Sequence, residues 1–73
     1  MSEIDHMKLD MVTKLASLLM AEQPQLTMEQ AISTVVNSDT YLLLQEDESA
    51  LYYQSPRYVY SFLANELKTG KVE

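Results

Sequence analysis

Across 73 residues the chain has one glycine, Gly70, and two prolines, Pro24 and Pro56. Glycine and proline are the strongest interrupters of regular backbone, so their scarcity and placement dictate the outline of the fold. Residues 1–23 contain neither, and a helix over about residues 3–22 follows, opened by Ser2 with Asp5 three residues later as a capping box. At 100° per residue, Ile4, Met7, Met11, Leu15, Leu18 and Leu19 share one stripe with Val12 at its edge, and that stripe is the expected core face. Leu9, Ala16 and Met20 make a second apolar line on another side, surplus for so short a chain.

Glu22-Gln23-Pro24-Gln25 breaks this helix and Thr27 caps the next, with Gln30 in the reciprocal capping position. The second helix, 28–37, places Met28, Ala31, Ile32, Val35 and Val36 on one face and Glu29, Gln30, Ser33, Thr34 and Asn37 on the other. Asn37-Ser38-Asp39-Thr40 stops it and caps a short third helix, 39–46, through Ser38. Tyr41-Leu42-Leu43-Leu44 spans most of that helix's circumference, so the third helix is either central or partly adhesive. The carboxylates Glu46, Asp47 and Glu48 end it at the negative end of its dipole. Leu51-Tyr52-Tyr53 is expected to be extended, before Ser55 and Pro56 open a fourth helix, 56–68, as N-cap and first helical residue. That helix buries Val59, Phe62, Leu63 and Leu67, with Tyr58 and Tyr60 on its flanks, and Gly70 supplies a left-handed C-cap before a frayed tail, Lys71-Val72-Glu73. The pattern is all-α, a small orthogonal bundle of three to four helices forming one domain over residues 1–73.

At this length one core leaves only a few kcal/mol of net stability. The chain has no cysteine, which removes disulfides and thiolate metal sites and points to a reducing cytoplasm. Hydrophobic residues make up 47%, enough to fold, yet no apolar run exceeds four residues (18–21 and 41–44), far short of a membrane span or a signal peptide. The net charge of −6 is spread evenly, five acids against two bases in residues 1–37 and six against three in 38–73. No basic patch stands ready for phosphate backbones or anionic lipid, so direct binding to nucleic acid or membrane is not expected, and the acidic surface fits solubility or a basic partner.

The chemistry-bearing residue types are few. His6 is the only histidine; with Asp10 it offers two ligands, too few for a closed metal site, and it reads as a solvent-facing helix residue. Glu46-Asp47-Glu48 lacks the alternating ligands and central glycine of a calcium loop and reads as a solvated turn. No serine lies in a nucleophile-elbow context, and a single C-terminal glycine cannot build a phosphate-cradling loop. The reading is a chain that is not an enzyme, with no cofactor. The second and third helices are joined as closely as in a helix-turn-helix, but Asp39, Thr40, Gln45 and Glu46 bring no Arg or Lys to a recognition helix.

Five tyrosines stand against one phenylalanine, and Tyr52, Tyr53, Tyr58 and Tyr60 fall within residues 52–60. Tyrosine buries a ring while its hydroxyl tolerates water, which suits either a protein interface or the edge of a thin core. The candidate partner-binding residues are Tyr41, Leu43, Tyr52, Tyr53, Tyr58 and Tyr60, together with Leu9 and Met20 of the surplus line.

The segment Leu51-Tyr52-Tyr53-Gln54-Ser55-Pro56-Arg57-Tyr58-Val59, with the apolar helix after it, resembles a family of short bacterial helical proteins of unknown function. Its members combine an N-terminal amphipathic helix, a second helix opened by a Leu-Thr/Ser cap, and a Leu-x-x-Gln-Ser-x-x-Tyr-Val/Ile segment. The resemblance covers about residues 7–67; Tyr52-Tyr53 stand where that family shows a His-Thr pair. It implies a small accessory protein, in some cases encoded beside a toxin-like partner, hence an antitoxin or adaptor, and supplies no catalytic residues. The expected function is therefore non-catalytic binding of another protein, basic or toxin-like, or of a second copy as a homodimer. The alternatives are a helix-turn-helix DNA-binding or transcription-modulating protein and a small enzyme subunit or regulatory fragment.

Overall fold

In a computed structural model that describes residues 2–70, four α-helices follow one another: α1 (Glu3–Glu22), α2 (Met28–Val36), α3 (Asp39–Gln45) and α4 (Pro56–Thr69). Two single 3-10 turns, Asp47–Ser49 and Leu51–Tyr53, join α3 to α4, and no strand occurs among the described residues. The expected tail Lys71-Val72-Glu73 lies outside the described residues.

The helix starts are local events. Ser2 Oγ accepts from the Asp5 N–H at 3.1 Å, and Thr27 Oγ1 accepts from the Gln30 N–H at 3.1 Å while Gln30 Oε1 accepts from the Thr27 N–H at 2.9 Å. Ser38 Oγ takes the Tyr41 N–H at 3.0 Å, and Ser55 Oγ the Tyr58 N–H at 3.2 Å with Pro56 beside it in the first turn. Each cap satisfies a donor that the helix cannot, worth about 1 kcal/mol. Gly70 ends α4 at φ 82°, its N–H bonded to the Glu66 carbonyl at 2.6 Å.

Helix α1 is the spine: α2 and α4 pack along it, and α3 and the Leu51–Tyr53 turn close over one side. The core is Met11, Val12, Leu15, Ala16 and Leu19 of α1, Ala31 and Val35 of α2, Leu44 of α3, Leu51, and Val59 and Leu63 of α4. Removing most of a fully buried leucine such as Leu15 costs about 2–5 kcal/mol, comparable with the whole stability of a domain this small. A radius of gyration of 11.4 Å matches the ~11 Å expected of a compact chain of this length.

Several expectations need correction. Helix α1 buries Lys8, Met11, Val12, Leu15, Ala16 and Leu19, an arc turned by roughly 60° from the expected stripe at 100° per residue; Ile4, Met7 and Leu18 are only half-buried flanks. The cause is enclosure from more than one side, which buries a wider arc than one partner would. Ala16 is thereby fully buried and Met20 packs against the core, so the surplus apolar line reduces to Leu9. On α2 only Ala31 and Val35 are buried, leaving Met28, Ile32 and Val36 exposed along one edge.

Leu51-Tyr52-Tyr53 forms a 3-10 turn rather than an extended segment; the extended backbone is confined to Gln54 and Ser55. Ala50 enters the turn in the left-handed conformation, φ 54°, and the turn swings Leu51 into the core. On α4, Val59 and Leu63 are buried as expected, but Phe62 on one side of them is half-buried, with Tyr58 edge-on to it, and Leu67 on the other side is exposed.

Candidate interaction surface

Lys8 joins segments that lie far apart in the chain. It lies on the buried face of α1 and is 7% exposed. Its ammonium donates to the Gln45 carbonyl at 2.8 Å and to Asp47 Oδ1 at 2.5 Å, and stands 5.9 Å from the centre of the Tyr52 ring. Gln45 is the last residue of α3, where carbonyls lack helical partners and the dipole is negative. Lys8 thus caps α3 from another helix and fixes α1, the end of α3 and the first 3-10 turn to one another. Ser49 closes the same corner, its hydroxyl donating towards the Leu43 carbonyl at 2.7 Å and the Glu46 carbonyl at 2.8 Å.

Beside that clasp, α1 and α3 leave a groove of about 260 Å³ lined by Asp5, Lys8, Leu9, Val12, Tyr41 and Gln45. Its apolar part is Leu9, Val12 and Tyr41, and Leu9 is 55% exposed. The volume falls below the ~300–1,000 Å³ common for small-molecule pockets and suits one inserted side chain. Gln45 also lines a neighbouring acidic hollow, formed with Glu46, Asp47 and Glu48. The ammonium of Lys8 is already matched by Asp47, so Asp5, Glu46 and Glu48 give this surface its negative sign.

The candidate binding residues separate into groups. Leu9 and Tyr41 meet in the groove. Leu43, Tyr52, Met20 and Tyr60 are half-buried and packed against the core. Tyr53 and Tyr58 are exposed, Tyr53 at 69% with its ring centre 4.8 Å from that of Tyr52, and Tyr58 edge-on to Phe62 at 5.1 Å. Tyr60 is held on α4 against α1: burial first, then the charge of Glu22 and a hydrogen bond to its carboxylate, push the phenol pKa up to about 12.

Some open surface lies outside that set. Leu42 on α3 is 62% exposed while Leu44 is fully buried, so α3 contributes to the core on one side and stands open on the other. Met28, Ile32 and Val36, at i, i+4 and i+8 on α2, form a second exposed edge. That edge was legible as spacing but not as exposure, since the same residues also continue the buried face of Ala31 and Val35.

The N-terminus of α3 is closed. The Glu66 carboxylate, reaching from α4, accepts from the Asp39 N–H at 2.7 Å, the Thr40 N–H at 2.9 Å and the Thr40 hydroxyl at 2.8 Å. Burial raises its pKa, but these three bonds outweigh that and hold the carboxyl below its ordinary value. His6 is exposed on α1, and no group of three or more metal-ligating side chains is assembled among the described residues. No helix among them is long and apolar enough to cross a membrane. Comparisons with family models, with curated proteins and with solved structures find no match to this chain.

Proposed function

We propose that this chain is a non-catalytic protein-interaction module, an adaptor or antitoxin-like accessory protein that acts by binding another protein. The observation that carries the reading is the exposure of large apolar and aromatic side chains, led by Leu9, Leu42 and Tyr53, on a domain whose core is otherwise closed. Isolated exposed apolar residues need no explanation, whereas an apolar groove with a charged rim is a common form of binding surface. The lone histidine and the absence of cysteine leave little for nucleophilic or thiol chemistry to use, and the reducing cytoplasm suits a chain without cysteine. The helix-turn-helix alternative draws no support from α3: Thr40 is fully buried, its amide and that of Asp39 bond to Glu66, and the helix carries no cation.

The test is photo-crosslinking in the cells that make the protein, with a photoreactive amino acid placed singly at Leu9, Leu42, Tyr53 or Ile32 and, as a polar control, at Ser33. A discrete adduct with one other protein from at least one apolar position, and none from Ser33, is the expected result. Adducts at no position, or equally at all five, would end the proposal. Tyr53 is the tyrosine to vary in such a complex; Tyr60 also ties α4 to Glu22, so its removal would lower stability as well as contact.

A further inference from the structure

We infer that the groove between α1 and α3 seats a basic amphipathic segment of the partner protein, an apolar side chain entering beside Leu9, Val12 and Tyr41 while neighbouring Lys or Arg residues lie on Gln45, Glu46 and Glu48. This rests on the reading of the chain as an interaction module and adds to it a face and a partner chemistry.

The apolar groove and the acidic hollow share Gln45 in their linings, so they lie side by side on the surface. The one cation in its lining, Lys8, is 7% exposed and occupied by the Gln45 carbonyl and Asp47, so it offers no charge to an incoming anion. An acidic segment would meet Asp5, Glu46 and Glu48 without compensation. A basic one would meet them with favourable steering and little desolvation, because these carboxylates are exposed.

Spacing narrows the ligand further. Tyr41 and Gln45 are one helical turn apart, about 6 Å along α3, so the anchor and the cation of a docked helix stand three or four residues apart. A second copy of the chain is the poorer occupant. Its net charge is −6, and among the described residues its exposed cations Lys14, Arg57 and Lys68 are scattered, with Lys14 already paired to Asp10. Along α2 itself, which carries the Met28, Ile32 and Val36 edge, Glu29 is the only charged residue.

The test uses a synthetic amphipathic helix of leucine and lysine as probe, with a twin in which glutamate replaces every lysine. Binding is followed by fluorescence anisotropy at low and moderate salt and by amide chemical shifts of the intact chain. The lysine peptide is expected to bind, with shifts concentrated at Leu9, Val12, Tyr41, Gln45 and Glu46, and the glutamate twin not to bind. Leu9→Glu, at an exposed site where it leaves the fold intact, should weaken binding at least tenfold, and the double variant Glu46→Gln/Glu48→Gln should flatten the salt dependence. Shifts centred on Met28, Ile32 and Val36, shifts scattered over the acidic surface, or binding indifferent to Leu9→Glu would overturn the inference. So would failure of the lysine peptide to bind at all. In each of those cases a crosslinked adduct from another apolar position would leave the interaction-module reading standing, whereas its absence would remove both.

Discussion

Replacing Lys8 by methionine keeps the length and apolar stem of the side chain and removes only the ammonium. Three contacts disappear, of which the approach to the Tyr52 ring, at 5.9 Å, is at the outer limit of a cation–π contact and adds little. The hydrogen bond to the Gln45 carbonyl, charged on the donor side and 2.8 Å long, contributes about 1.5–3 kcal/mol when its acceptor has no other partner. The pair with Asp47, whose side chain is 67% exposed, contributes about 0–1 kcal/mol because water screens it. Relief from holding an ammonium away from solvent offsets part of the loss, so the net destabilisation is about 2 kcal/mol. For a chain of this size that lowers Tm by roughly 8–16 °C. Asp47→Asn isolates the ion pair and should cost less than about 1 kcal/mol. Urea and thermal unfolding of the two single variants and the double variant, followed by circular dichroism, measure all three values and the coupling between the residues. A Lys8→Met variant within about 0.5 kcal/mol of the parent, or an Asp47→Asn variant as damaging as Lys8→Met, would refute the reasoning that Lys8 acts chiefly as the C-terminal cap of α3.

Other outcomes follow from the same geometry. Glu66→Gln weakens the cap on α3 and should cost about 1 kcal/mol at neutral pH. Because the folded-state pKa of Glu66 is depressed, its contribution is fully present above the ordinary glutamate value and is lost as pH falls through the folded one; unfolding curves of parent and variant should therefore converge in acid. Ultraviolet titration of the phenols should show one of the five tyrosines ionising near 12 and that late step missing in Tyr60→Phe. The raised pKa makes the Tyr60 contribution complete below its ordinary value of 10.0 and lost as pH rises through about 12. Ala50→Gly should stabilise the chain by up to about 1 kcal/mol in urea melts, since Ala50 is held at φ 54° where a Cβ is disfavoured.

What could be read from the sequence is what is decided within four residues. Ser2 with Asp5, Thr27 with Gln30, Ser38, Ser55 with Pro56, and Gly70 act through neighbouring amides, and all four helices begin where those residues stand. The rotation of α1 was not legible, because an apolar wheel shows which side chains can be buried and not how many neighbours will enclose the helix. Lys8 shows this most sharply: as a charged residue it reads as surface, and its partners lie 37 and 39 residues away. Glu66 reaches Thr40 across 26 residues and leaves no local trace either. The turn at Leu51–Tyr53 is too short for periodicity, so packing of Leu51 against the core, not propensity, chose its conformation. Of the candidate surface, Leu9 and Tyr41 were visible as apolar residues, but their meeting in one groove beside Glu46 and Glu48 depends on how α1 and α3 pack.

The account turns on whether that groove binds a protein. The direct measurement is sedimentation velocity of the purified chain mixed with the protein to which it crosslinks, compared between the parent, Leu9→Glu and Ile32→Glu. A stoichiometric complex that forms with the parent and with Ile32→Glu and is lost with Leu9→Glu is the predicted result. A complex that survives Leu9→Glu and is lost with Ile32→Glu, or no complex with any of the three, would contradict it.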